Sequence, residues 1–111
     1  MTLKKKIIKI AIDSPAAAGA GTLAKMISKN YNLCYLDTGK IYRHIAYIKK
    51  KFPNKFSLNF LKKNIKDLKI KNLQNKYLLS DEIGTEASII SKNKDIRKLV
   101  YSFQHNFAYN P

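Results

Sequence analysis

Apolar positions along this chain change period several times, and each change marks an element. Ile7 to Asp13 is a short β-branched apolar run closed by a Ser-Pro turn signal, which predicts a buried strand. Pro15 pushes Ser14 out of the helical region. Thr22 to Asn30 places apolar residues at 23, 26 and 27 with lysines opposite, the pattern of an amphipathic helix. Leu33 to Leu36 predicts a second short strand, ending at Asp37-Thr38-Gly39. Ile41 to Lys51 predicts a helix with Ile41, Ile45 and Ile48 on one stripe, broken by Phe52-Pro53-Asn54. Strand, small-residue turn, helix, strand, acidic turn, helix is the opening of a parallel α/β sheet.

The middle is less regular. Ser57 to Lys66 predicts a helix on Leu58, Leu61 and Ile65. Leu68 to Lys71 alternates like an exposed strand, with Lys76 to Leu79 as its expected partner. Glu86 to Ser91 and Asp95 to Phe107 read as helices, with Asp95 suited to a first turn.

The stretch I-D-S-P-A-A-A-G-A-G-T, from Ile12 to Thr22, carries the first candidate chemistry. A strand that feeds a turn of small residues into a helix gathers unpaired amide hydrogens and the positive helix end at one point, where phosphate oxygens bind. The common form G-x-x-x-x-G-K-[ST] adds a lysine for the outer phosphates and a hydroxyl for magnesium. Here Ser14 holds the first glycine position, Gly19 the second and Ala20 that of the lysine, with Gly21 and Thr22 following. The backbone half of a phosphate loop is present and the charged half is missing. A tight structural turn fits the spacing as well.

Composition sharpens this. The 111 residues leave room for at most one modest domain, and 45% hydrophobic residues argue against intrinsic disorder. The net charge of +15 comes from 20 lysines and only two arginines, Arg43 and Arg97. Because the lysines are spread along the chain, a solvated coat is favoured over a nucleic-acid or membrane surface. The two arginines are then the places to seek planar, bidentate anion binding. Cys34 is the only cysteine, so no intramolecular disulfide is expected, and no stretch is long and apolar enough for a membrane span. A cytoplasmic protein is expected. His44 and His105 read as surface residues, and Tyr101, Phe103 and Phe107 as core.

The loop, the block Y-L-D-T-G-K-I-Y-R and the later A-S-I-I-S-K-N-K-D-I-R-K-L-V-Y-S-F-Q together resemble the N-terminal half of bacterial cytidylate kinases. Those read I-D-G-P-A-G-A-G-K-G-T, then L-D-T-G-A-M-Y-R, then A-S with I/V-R and Q-R downstream. The resemblance implies an α/β fold: a P-loop kinase-type parallel sheet with flanking helices and a nucleoside-monophosphate-binding insertion. It divides the chain into the first part of the core (1–51), the insertion (52–95) and a helix returning to the core (96–111), with the remaining core and the lid beyond. It implies transfer of the γ-phosphoryl of ATP to CMP or dCMP with Mg2+, by a full-length monomer that engages neither nucleic acid nor membrane. Ser14, Pro15, Ala16, Ala17, Ala18, Gly19, Ala20, Gly21 and Thr22 would wrap the ATP phosphates, with Thr22 near the metal. Asp37 and Thr38 would line the acceptor side, Arg43 would grip the acceptor phosphate, and Ser88 and Arg97 would read the cytosine.

Ala20 is the main departure from that pattern, and Lys40, where the family has a small residue, is the candidate substitute cation. The family runs to about twice this length, so residues 1–111 alone are expected to fold poorly and to be inactive. Two rivals stand beside this reading: another small-molecule P-loop kinase of the shikimate type, and a non-catalytic nucleotide- or nucleic-acid-binding protein.

Overall fold

The structure, a computed structural model, describes residues 20–109, and every regular element among them is helical. Helix α1 spans Ala20–Asn30, α2 Thr38–Lys51, α3 Leu58–Lys66, α4 Asp81–Ile90 and α5 Lys94–Tyr109. Two short 3-10 helices, Ile70–Gln74 and Lys76–Leu79, lie between α3 and α4.

Local chemistry sets the ends of these helices. Leu33 N–H donates to Ser28 C=O across Asn32, which takes the left-handed conformation (φ 52°). This six-to-one closure terminates α1, and asparagine is one of the few side-chain-bearing residues that tolerates it. Ser57 Oγ accepts from Phe60 N–H at 3.1 Å to start α3, and Ser80 Oγ accepts from Ile83 N–H at 3.2 Å to start α4. Asn93 Oδ1 accepts from both Asp95 N–H (3.0 Å) and Ile96 N–H (3.1 Å) to start α5. Lys49, Lys50 and Lys51 crowd the last turn of α2, where the helix dipole favours cations.

Helix α2 is the hub. It packs against α4, α5 and both 3-10 helices, while α3 packs on α5. The predicted stripe is its buried face: Ile41 and Ile45 are 0% exposed, and Ile48 is also buried. They meet Leu61 and Ile65 of α3, Ile83 and Ala87 of α4, and Val100 of α5 in one core cluster. At about 1.5–3 kcal/mol for each fully buried Ile, Leu or Val side chain, this cluster is the main support of the helical unit.

Three expectations need correction. Leu33 to Leu36 is irregular, not a strand. A strand exists only as a paired ladder, and no described segment offers one; the expected neighbour, Ile7 to Asp13, lies outside the described residues. Leu68 to Lys71 and Lys76 to Leu79 do not form a ladder, since the two 3-10 turns occupy this region. Asn72 Oδ1 accepts from Lys69 N–H (2.9 Å) and Asn75 Oδ1 from Tyr77 N–H (3.0 Å), so side chains satisfy backbone donors that a ladder would need. Leu68, Leu73 and Leu78 are thereby turned inward. Finally, α4 begins at Asp81, five residues before the expected Glu86, because Ser80 with Asp81 and Glu82 forms an N-terminal signal that overrides the interior Gly84.

Candidate functional site

The acceptor-side candidates gather at the N-terminal half of α2. Asp37 is its N-cap residue, with one carboxylate oxygen 3.3 Å from where a Cβ on Gly39 would stand. The negative charge therefore sits at the positive helix end. Burial first, and the Asp37 charge second, push the Tyr35 phenol above its ordinary value. Thr38 opens the helix, and its Oγ1 accepts from Gln104 Nε2 at 2.5 Å. This bond ties α5 to α2 across 66 residues of sequence.

Lys40 and Arg43 follow three residues apart, hence on one face of α2. Lys40 is half-buried and makes no ion pair among the described residues. Arg43 is fastened: its Nη1 donates to Leu78 C=O at 2.6 Å and to Ser80 C=O at 3.3 Å. It has no carboxylate partner among the described residues. A half-buried cation is thus held by neutral carbonyl dipoles, with its positive charge unneutralised. That is how an arginine is kept ready for an anion.

Ser88 stands on α4 one turn beyond Gly84, and its Oγ donates to Gly84 C=O at 3.1 Å. Arg97 is exposed on α5, and no hydrogen bond or ion pair joins its side chain to Asp95 or to Arg43. It lies seven residues before Gln104, so the two share a face of α5 about 10 Å apart along the axis. Helix α5 therefore relates Arg97 to the Thr38 end of α2. Ala20, Gly21 and Thr22 form the first turn of α1, with Thr22 exposed. Ser14, Pro15, Ala16, Ala17, Ala18 and Gly19 lie outside the described residues. No group of three or more His, Cys, Asp or Glu side chains that could hold a metal occurs among the described residues.

The aromatic and histidine expectations change in part. Tyr101 is 68% exposed, stacking on His105, which in turn packs against Tyr109 at 4.5 Å. His44 is half-buried rather than a surface residue, with Nδ1 unpartnered and its pKa lowered by burial. It lines a cavity of about 400 Å³ with Lys63, Asn64, Asp67, Leu68 and Asn72. Sequence reasoning missed Gln104, Gly84 and the carbonyls of Leu78 and Ser80. Carbonyls carry no sequence signal. Gly84, a glycine inside a helix, was a signal that could have been read.

Arg43, held by two carbonyls with no carboxylate partner among the described residues, is the clearest candidate anion site of the helical unit. The family profile for cytidylate kinase matches residues 10–111. The chain belongs to the cytidylate kinase family. It is 43% identical over 102 residues to a cytidylate kinase of Bartonella tribocorum, covering 89% of this chain and 46% of that protein. Over 112 residues it is 35% identical to one from Bradyrhizobium (92% and 49%), and over 120 residues 34% identical to one from Mesomycoplasma hyopneumoniae (95% and 51%). The chain spans about half the length of the curated relatives it matches. No solved structure matches it at a significant level. No described helix is long and apolar enough to cross a membrane.

Proposed function

We propose that the protein transfers the γ-phosphoryl of ATP to CMP or dCMP, giving CDP or dCDP. The single observation that carries this is Arg43: a guanidinium fixed by two carbonyls and left without a carboxylate partner. Family membership supplies the acceptor class.

In this reading the fold of the whole protein is a P-loop kinase parallel sheet with flanking helices, cytoplasmic and monomeric. Residues 1–51 open the core, 52–95 form the acceptor-binding insertion and 96–111 return to the core. The amides of residues 14 to 22 hold the ATP phosphates in this reading. Thr22 offers its exposed hydroxyl to the Mg2+ of the nucleotide, an ion that offsets phosphate charge when bound. Asp37 and Thr38 line the acceptor side, Arg43 binds the acceptor phosphate, and Ser88 and Arg97 hold the cytosine. The reaction needs in-line positioning and charge neutralisation more than covalent help.

Ala20 leaves the transferring phosphate without the usual cation, a loss on the order of 3 kcal/mol for one electrostatic group. Lys40 supplies it in this reading, one turn before Arg43 and unpaired among the described residues. Turnover of CMP, UMP, AMP and shikimate by the protein as encoded tests the whole proposal, with CMP the expected substrate. Lys40→Ala should abolish that turnover; unchanged activity removes Lys40 from the mechanism. Ala20 also favours a second reading, a non-catalytic nucleotide binder, which predicts ATP binding with no transfer to any acceptor. Residues 1–111 alone should be inactive.

A further inference from the structure

Glycine inside a helix destabilises it relative to alanine, yet α4 carries one at its fourth position. The neighbourhood explains its presence. A Cβ built on Gly84 would stand 2.7 Å from Arg43 Nη2, 3.1 Å from Cζ and 3.3 Å from Nη1. Three atoms of one planar group so close to one point place the guanidinium flat across the α4 backbone. Only glycine leaves that surface bare.

The far end of an arginine normally swings away from an added methyl at little cost. Here it is tethered, since Nη1 is bound to Leu78 C=O at 2.6 Å and reaches Ser80 C=O at 3.3 Å. Those carbonyls belong to the segment that leads into α4, so floor and tethers move together. A methyl at position 84 therefore displaces the guanidinium and leaves the helix intact.

We infer that Gly84 is a positioning residue for acceptor binding: its missing side chain forms the floor on which Arg43 lies, while the carbonyls of residues 78 and 80 orient the fork towards the acceptor phosphate. This rests on the reading of Arg43 as the phosphate-binding arginine. The direction of the stability effect separates it from a packing role. Alanine is the better helix former, so Gly84→Ala should leave the helix as stable or more so, whereas acceptor binding should weaken.

The test is calorimetric binding of CMP and of ATP to the protein as encoded, with thermal melts, for wild type, Gly84→Ala, Arg43→Ala and the double variant. Losing one well-placed charged hydrogen bond weakens binding by about ten-fold or more. Gly84→Ala should show that loss for CMP, with ATP affinity kept and the melting midpoint equal or higher. In the Arg43→Ala background the same change should have little further effect on CMP. Unchanged CMP affinity in Gly84→Ala, beside a loss in Arg43→Ala, overturns the inference and leaves the Arg43 reading standing. Unchanged affinity in Arg43→Ala, or no CMP binding by wild type, overturns both. A lowered midpoint with CMP and ATP affinities falling together makes Gly84 a packing residue only and overturns the inference.

Discussion

Helices α1 and α2 are both amphipathic, yet they differ in what covers them. In α1 the apolar side chains Leu23 and Met26 are 51% and 56% exposed, while in α2 Ile41 and Ile45 have no exposed surface. The partners of α2 follow within the next sixty residues as α4, α5 and the 3-10 turns. In the proposed fold the apolar face of α1 belongs to a sheet, and the strand nearest in sequence, Ile7 to Asp13, lies outside the described residues. The α2 half of the described residues thus builds its own core, whereas α1 leaves apolar side chains exposed among them, the face that a sheet would cover in the proposed fold.

Substitution in the two helices should expose this difference most strongly. Ile45→Ala should cost about 2–5 kcal/mol in urea unfolding of the protein as encoded. Leu23→Ala should cost less than that, since Leu23 is 51% exposed among the described residues. Equal losses would mean that α1 is as well covered as α2.

The bridge between Gln104 and Thr38 is the next largest expected effect. Gln104→Leu leaves the Thr38 hydroxyl without its donor, a change of about 1 kcal/mol. In the proposed enzyme this should appear as a several-fold rise in KM for CMP with KM for ATP unchanged. A rise in both would assign the bond to general packing.

Acidification should also act on the α2 half. His44 is half-buried with a lowered pKa, so below its ordinary value of about 6.5 the unfolded chain binds a proton that the folded chain resists. Stability from this source is complete above that pH and declines as pH falls through it. Urea melts at pH 7.5 and 5.5 should show the loss, and His44→Asn should reduce it. Lys63 and Asp67 border the same cavity and would be mutated as controls.

Smallest of all are the ion pairs Lys49–Glu86 (2.6 Å) and Lys50–Glu82 (2.5 Å) between α2 and α4. Lys50 and Glu82 are well exposed, so breaking their pair should change stability by less than about 1 kcal/mol and less still in high salt. A larger loss would show that charge, not the isoleucine stripe, fixes α4 on α2.

Legibility followed the same division. The Ile41, Ile45 and Ile48 stripe, the break at Phe52 and the acidic first turn of α5 were readable because helix periodicity and end signals are local. The strand at Leu33 to Leu36 and the ladder at Leu68 to Leu79 were misread because alternation reports a preference, and a ladder needs a partner. Arg43 was picked out as one of two arginines among twenty lysines. That it is held by carbonyls 35 and 37 residues away was not readable.

By itself the sequence determined the family, the helices that carry their own caps and stripes, and the residue types available for phosphate. Tertiary structure decided which of those residues meet: Arg43 on Gly84, Gln104 on Thr38, His44 beside a cavity. The reason is that periodicity and capping act within one or two helical turns, whereas the placement of a guanidinium depends on backbone oxygens and a missing Cβ brought from another helix.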